Sequence, residues 1–238
     1  MRLLALIVAS ALLAVAPAAA QSAAQPFQAP LPAAGLGKAS PALQAANLSP
    51  AQCRAELGRR RLSVKRAGRA APGVATPVRL AGALSGVRFV APGASSPYGI
   101  LDCRLVLALD ALAAVLAKHD VVEARIDNLY RPRARLPGKK LPSQHSYGLA
   151  VDLMSLTLKD GRELSVERDF AGALGDPPCG PESQVVPSTE SAIALRNIVC
   201  AVAREGIFHY LLTPNFNAAH RDHLHLDIKR GLKQWTIE

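Results

Sequence analysis

Two short segments rich in metal-binding side chains lie far apart in this chain, and bringing them together constrains any fold that it can adopt. Residues 143–152 read Ser-Gln-His-Ser-Tyr-Gly-Leu-Ala-Val-Asp, and residues 220–227 contain three histidines and two aspartates. A catalytic zinc takes three protein ligands, drawn from His, Asp, Glu and Cys, and keeps one position for water. His145, Asp152 and His225 supply such a set, so we expect Zn²⁺ as the cofactor.

The sequence pattern also predicts how the two segments meet. Residues 147–153 alternate as a β-strand does. On that strand the small Gly148 and Ala150 would share the face of Asp152 and leave room for metal and substrate. His145 would lie in the turn that leads onto the strand. A neighbouring strand carrying the second segment would direct its histidines into the same cleft.

A hydrolytic site also needs a general base, which takes a proton from the attacking water and passes it to the leaving amine. Asp222 and His223 are the two candidates. Strict alternation places His223 on the face of His225, whereas a turn or bulge at Asp222 would bring its carboxylate to the site. The residue pattern leaves both candidates open.

The two segments resemble the signature of zinc peptidases that cut bacterial cell-wall peptides. That group includes D-alanyl-D-alanine carboxypeptidases and dipeptidases, murein endopeptidases and the hedgehog amino-terminal domain. The shared spacing is Ser143-x-His145-x-x-Gly148-x-Ala150-x-Asp152 followed by Asp222-His223-x-His225. From about Cys53 onward the chain is more closely similar to bacterial extensin-like proteins, which carry this pattern in a C-terminal domain.

This resemblance implies a role for each side chain of the pattern. It implies His145, Asp152 and His225 as zinc ligands. In these peptidases an acidic residue three positions before the last ligand often serves as the base, a role that falls on Asp222. In others the first histidine of the His-x-His pair is essential, which points to His223. The acid is usually Glu in the dipeptidases, so Asp222 departs from their pattern.

Further residues are expected to contact the substrate. In the peptidases an arginine in a Tyr-Arg segment steadies the substrate or the tetrahedral oxyanion, and Tyr130 followed by Arg131 matches it. Arg131 is therefore assigned to the catalytic group. The expected substrate-binding residues are Tyr130, Ser143 and His220. The alternatives are a solvated basic loop for Arg131 and, for His220, either a side chain that orients a ligand or a plain loop residue.

The expected activity is hydrolysis of an amide bond in peptidoglycan stem peptides or crosslinks, by a D,D- or L,D-carboxypeptidase or endopeptidase. The main alternative is a non-catalytic, zinc-containing module that binds the cell wall or has a structural role. In a second alternative the basic face and a proline-rich tether matter most. The net charge of +10 favours anionic partners. Peptidoglycan suits an exported chain better than nucleic acid does, and a monomer is expected.

Three parts are expected along the chain. Residues 1–20 carry a positive charge, an apolar run and small residues up to Ala20, as secretory signal peptides do, and the run is too short for a transmembrane segment. Cleavage near Ala20 would release a periplasmic or secreted protein. Residues 21–47, rich in Ala and Pro, predict a flexible linker or a segment that binds a wall partner. Residues 48–238 suit one extensin-like, zinc peptidase-like domain.

The cysteines indicate two disulfides. There are four, an even number in a chain bound for an oxidising compartment, and they lack the close pairs of a zinc ribbon. Three pairings are possible, and the order of the segments favours Cys53–Cys103 and Cys179–Cys200.

Periodicity predicts an α+β fold, a small antiparallel sheet flanked by helices. The resemblance implies a zinc cleft on that sheet, as in the hedgehog domain and the D-alanyl-D-alanine peptidases. Helices are predicted from Ser49 to about residue 59, and over residues 102–119 and 188–205. Strands are predicted over residues 123–131, 147–153, 207–212 and 222–228, with a hairpin over residues 156–166.

Overall fold

Helix α3, Cys103–Lys118, lies at the centre of the structure, a computed structural model that describes residues 25–238. Leucines at helical spacing form its buried face: Leu105, Leu109, Leu112 and Leu116. The Asp102 carboxylate caps its first turn by accepting a hydrogen bond from Arg104 N at 3.0 Å. The helix predicted over residues 102–119 is confirmed.

The other elements surround this helix. The remaining α-helices described are α1 (Pro41–Ala46), α2 (Pro50–Arg59), α4 (Val166–Asp169) and α5 (Glu190–Arg204). The strands described are β1 (Val64–Arg66), β2 (Pro77–Leu80), β3 (Arg88–Val90), β4 (Leu101–Asp102), β5 (Val121–Asn128), β6 (Ala150–Leu158), β7 (Glu163–Ser165), β8 (Tyr210–Leu212), β9 (Leu224–Asp227) and β10 (Thr236–Ile237). The predicted hairpin corresponds to β6 and β7.

The larger sheet has the strand order β10-β8-β9-β6-β5-β3, with β7 also paired to β6. Most neighbours are antiparallel, but β3 and β5 run parallel, as do β8 and β10. The α+β class is therefore confirmed, whereas the expected antiparallel sheet is a mixed one. Parallel neighbours need a crossover connection, and α3 supplies it between β3 and β5. Strands β1, β2 and β4 form a second sheet.

Helix α2 begins where the sequence predicts. Ser49 Oγ accepts from Gln52 N at 3.3 Å, and the Gln52 side chain accepts from Ser49 N at 2.9 Å. With Pro50 at the first helical position, this capping box satisfies amide groups that a helix start leaves unpaired.

Residues 25–47 belong to the folded unit, which corrects the expected flexible linker for this stretch. Phe27 is 3% exposed, and its amide N donates to Asn197 Oδ1 at 2.9 Å. The indole Nε1 of Trp235 donates to the Ala33 carbonyl at 3.0 Å. Scattered apolar side chains in this segment are thus covered by the domain, although its Ala and Pro content is typical of disorder.

Both predicted disulfides are formed. Cys53–Cys103 joins α2 to the first residue of α3, and Cys179–Cys200 joins the loop after α4 to α5. Each such crosslink typically stabilises a domain by about 2–4 kcal/mol. The second one fixes the middle of the loop between α4 and α5, which lacks regular structure.

The predicted signal peptide, residues 1–20, lies outside the described part of the chain. Within residues 25–238 no helix has both the length and the apolar character needed to cross a bilayer.

Candidate metal centre

The two segments singled out in the sequence lie on adjacent strands of the larger sheet. Strands β6 and β9 are antiparallel neighbours, and Asp152 pairs directly with His225. Asn128 on β5 pairs with Asp152 on its other side. Directly opposed residues on one face of a sheet have Cβ atoms only about 4.5–5.5 Å apart. The predicted juxtaposition of two ligand-bearing strands is therefore confirmed.

His145 reaches this row of side chains from a 3-10 helix, Gln144–Tyr147. Ser143 Oγ caps that helix by accepting from His145 N at 3.3 Å. Gly148 ends it with a φ angle of +63°. The turn expected at His145 is confirmed, but β6 begins two residues after Gly148, later than predicted.

Gly148 does not leave room for a substrate, contrary to the expectation. A Cβ atom there would lie 2.9 Å from Asp102 N and 3.3 Å from the Leu101 backbone. The Gly148 carbonyl accepts from Asp102 N at 2.9 Å. Glycine is needed for its left-handed φ angle and for this close backbone approach, which fixes the first ligand segment against the start of α3.

Three potential ligand atoms form a small triangle. His145 Nε2 lies 3.0 Å from Asp152 Oδ1 and 3.1 Å from His225 Nδ1. His225 Nδ1 lies 3.0 Å from Asp152 Oδ1. All three residues are buried, with His145 fully enclosed. This group can hold a metal ion.

Both histidines are oriented by acceptors behind them. His145 Nδ1 donates to the Leu129 carbonyl at 2.9 Å, and His225 Nε2 donates to Asp227 Oδ2 at 3.3 Å. A carbonyl and a carboxylate only accept, so these ring nitrogens carry the protons. In the neutral imidazoles the opposite nitrogens, at the triangle, therefore carry lone pairs. Such partners fix the tautomer of metal-binding histidines.

This donor set fits a cation. Two imidazole lone pairs and a carboxylate converge in a buried place, where they repel one another unless a proton or a metal ion lies between them. Burial favours the neutral form of His225, but hydrogen bonds with Asp152 and Asp227 outweigh it and raise its pKa to about 9. Burial also opposes ionisation of Asp152, yet its contacts with His145 and with the protonated His225 hold its pKa well below the usual range.

The directions of these pKa shifts give the protonation of the metal-free site at neutral pH. Burial lowers the pKa of His145, which is therefore neutral. His225 carries the proton that the Asp152 carboxylate attracts. A metal ion bound by these side chains would replace that proton.

His223 lies beside the triangle, with Asp222 behind it. His223 Nδ1 donates to Asp222 Oδ1 at 2.7 Å, while His223 Nε2 lies 3.6 Å from Asp152 Oδ1. The His223 side chain is 17% exposed and that of Asp222 is 47% exposed. The His223 imidazole, rather than the Asp222 carboxylate, is thus next to the three candidate ligands, and its Nε2 faces them.

His220 packs close to the same imidazoles. Its ring centroid lies 5.1 Å from that of His223 and 5.9 Å from that of His225. Its Nδ1 donates to Asn217 Oδ1 at 2.8 Å. Burial, followed by the charges of His223 and His225, lowers the pKa of His220 to about 4. His220 is therefore neutral at pH 7 and, with the adjacent ring of Phe216, forms an aromatic rim.

Arg131 is joined to the ligand segment through its backbone. Its amide N donates to the His145 carbonyl at 3.0 Å, and the residue is exposed. Burial is the main cause of the lowered pKa values of His145 and His220, and the positive charge of Arg131 lowers both further. A free cationic side chain is thus available near the cluster.

Tyr130 and Ser143 are not placed to bind a substrate, which contradicts the roles predicted for them. Tyr130 is 1% exposed, and its hydroxyl donates to the Pro72 carbonyl at 2.9 Å. Ser143 is 5% exposed and caps the 3-10 helix. Residue type alone could not reveal that both hydroxyl groups are already used inside the protein.

Two residues that support the site were missed in the sequence. Asn128 Nδ2 donates to Asp152 Oδ2 at 2.8 Å, and Asp227 accepts from His225. Asp227 follows His225 by two positions, so strand alternation already placed it on the same face. Asn128 carries no such signal, because its contact depends on the register between β5 and β6.

The fold and the cluster define an α+β protein with a buried His-Asp-His group that can hold a metal ion. The chain belongs to the family described as "Extensin-like protein C-terminus", whose model matches residues 51–237. No curated protein and no solved structure matches it.

Proposed function

We propose that this protein is a monomeric, zinc-dependent peptidase that hydrolyses an amide bond in peptidoglycan stem peptides or their crosslinks, in the periplasm. The triangle of His145, Asp152 and His225 carries the proposal. Ligand atoms bonded at about 2.0–2.1 Å to a tetrahedral zinc lie about 3.3 Å apart. The distances between the three atoms here are 3.0–3.1 Å. Two imidazoles and one carboxylate also match the ligand types of catalytic zinc sites.

The surrounding side chains supply the proton transfers of a hydrolysis. Zinc bound here would supply Lewis acidity, which polarises a carbonyl group and makes water acidic near pH 7. His223 Nε2 accepts the proton of the attacking water and returns it to the leaving amine. Asp222 holds the His223 ring by its Nδ1–H and stabilises the imidazolium. Of the two candidate bases, we therefore favour His223, with Asp222 as its positioning residue.

Arg131 supplies a positive charge that can stabilise the negative charge of the substrate or of the transition state. An exposed guanidinium near the cluster can bind a peptide carboxylate or the developing oxyanion. Removing one such donor typically costs about 3 kcal/mol of transition-state stabilisation. The Arg131→Ala variant is expected to turn over on the order of 100-fold more slowly, with its zinc still bound.

The proposed substrate rests on the resemblance to cell-wall peptidases and on the expected export of the chain. The test is digestion of purified peptidoglycan, with the products separated by mass. Wild type is expected to release stem-peptide fragments, and His145→Ala is expected to release none and to lose zinc. His223→Gln is expected to keep zinc and lose turnover.

The control is His119→Gln, which changes a histidine at the end of α3 and should preserve both zinc and products. Retained zinc and wall binding with no product from wild type would instead support a non-catalytic wall-binding module. Wild-type turnover by His145→Ala would contradict the metal-dependent reaction itself.

A further inference from the structure

An exposed loop lies next to the group of His145, Asp152 and His225, which can hold a metal ion and is called here the metal cluster. The loop carries more positive charge than the proposed reaction explains. Residues 131–142 form this segment, called here the basic hairpin. Arg135 and Pro142 form a β-bridge at its base. Beyond them, Leu136 N donates to the Leu141 carbonyl at 2.9 Å. Residues 137–140 form the tip, and nearly the whole segment is exposed.

The basic hairpin carries an uncompensated positive charge. Its five cations are Arg131, Arg133, Arg135, Lys139 and Lys140, and it contains no acid. Every Lys and Arg ion pair in residues 25–238 involves other side chains. Like charges held on one small loop repel one another, so an anionic partner would relieve this repulsion.

Two exposed leucines accompany these cations. Leu136 is 40% exposed and Leu141 is 60% exposed. Because the backbones of these two residues are hydrogen-bonded, both side chains flank the same tip. Leucines surrounded by Lys and Arg are typical of segments that lie in the interface of a lipid bilayer, where the apolar groups enter and the cations contact headgroups.

We infer that the basic hairpin docks this protein onto an anionic phospholipid bilayer, with Leu136 and Leu141 entering the interface and the cations near the tip, Arg135, Lys139 and Lys140, contacting lipid phosphates. An anionic polymer would satisfy the charges but would leave both leucines in water, so the leucines favour the bilayer. The base of the hairpin is tied to the ligand segment, since Ser143 N donates to the Ala134 carbonyl at 2.9 Å. Docking would therefore hold the metal cluster close to the membrane surface.

The test is flotation of the protein beginning at Gln21, which retains the whole folded unit, with lipid vesicles. Binding is expected to vesicles with about 30 mol % phosphatidylglycerol and not to neutral phosphatidylcholine vesicles. Each Lys or Arg at an anionic surface adds roughly fivefold to affinity. Lys139→Glu/Lys140→Glu is therefore expected to bind at least about 25-fold more weakly. Leu136→Ser/Leu141→Ser is expected to lose about tenfold in affinity.

Matched changes elsewhere serve as controls. Lys229→Glu/Arg230→Glu reverses two exposed charges on another segment, and Leu174→Ser removes a leucine that is 64% exposed. Both are expected to bind vesicles as wild type does. Equal losses in these controls, or no loss on removing the hairpin leucines, would overturn the proposal. If Leu136→Ser/Leu141→Ser bound both vesicles and peptidoglycan with the affinity of wild type, the hairpin would instead be a general anion-binding loop.

Discussion

Two buried polar clusters in this protein are built on opposite principles. Arg79 is 4% exposed, and its guanidinium donates to backbone carbonyls of two loops, one after β1 and one after β3: Ala67, Pro92, Gly93, Ala94 and Ser96. At the metal cluster, by contrast, His145, Asp152 and His225 direct acceptor atoms at one another. The first cluster satisfies its hydrogen bonds as it folds, whereas the second needs a proton or a metal ion between its acceptor atoms.

The difference separates stability from function. Buried donors that all find acceptors hold loops together and need no partner. Buried acceptors that face one another cost free energy unless a proton or metal ion joins them. We therefore expect changes at Arg79 to alter the stability of the fold and changes at the metal cluster to alter metal affinity.

The largest expected effect is on zinc affinity when a ligand is neutralised. Asp152→Asn keeps the shape of the side chain but removes its charge. Structural zinc sites bind with about 10–16 kcal/mol over four ligands, so losing one ligand should weaken zinc binding by roughly 60- to 700-fold. Competition with a chelator measures this. The exposed Asp160→Asn should bind zinc as wild type does, and a similar loss there would break the comparison.

A smaller effect is expected on folding at the other cluster. Arg79→Met leaves several buried carbonyls without donors, which should lower the free energy of unfolding by about 3 kcal/mol and the melting temperature by roughly 6–12 °C. Thermal unfolding with excess chelator measures this. Zinc affinity of the folded variant should be unchanged. If Arg79→Met kept its melting temperature but bound zinc more weakly, Arg79 would belong to metal binding and not to folding stability.

Asp227→Ala tests the support behind a ligand. Removing the acceptor of His225 Nε2 frees the ring and its tautomer, and such changes typically weaken metal binding by about 10–100-fold. Asp222→Ala is the matched control, because Asp222 supports His223, which is not a ligand. Asp222→Ala should slow turnover and leave zinc affinity intact. Equal zinc loss in both variants would show that the second carboxylate also serves the metal.

The smallest expected effect is the change of zinc affinity with pH. In the metal-free protein the pKa of His225 is raised to about 9, so its proton is bound below that pH and must leave when zinc binds. About one proton should be released at pH 7, and zinc affinity should fall about tenfold for each pH unit below 9. Calorimetry in buffers of different ionisation enthalpy counts this proton. No release at pH 7 would mean that His225 is already neutral.

The same raised pKa sets the sign of its effect on stability. Because the folded-state pKa of His225 exceeds the ordinary value of 6.5, protonated His225 stabilises the metal-free protein fully below about pH 6.5. That stabilisation should be lost as pH rises towards 9. Wild type and Asp152→Asn should therefore differ in the pH dependence of unfolding in that window.

The metal cluster was predictable from sequence because its geometry follows from strand alternation and a short turn. His145, Asp152 and His225 each carry a distinctive side chain at a regular position. The Arg79 cluster was not predictable, because its partners are backbone carbonyls that any sequence has. The burial of Phe27 was hidden for a similar reason, since composition does not show which surface will cover a segment.

Zinc-edge X-ray absorption on purified wild-type protein tests the central claim most directly. One zinc per chain is expected, with nitrogen and oxygen neighbours at about 2.0–2.1 Å, two of them from imidazoles. In Asp152→Asn the metal should be lost. A protein without zinc after loading, or a zinc whose shell survives the loss of Asp152 unchanged, would contradict the assignment of these three side chains as its ligands.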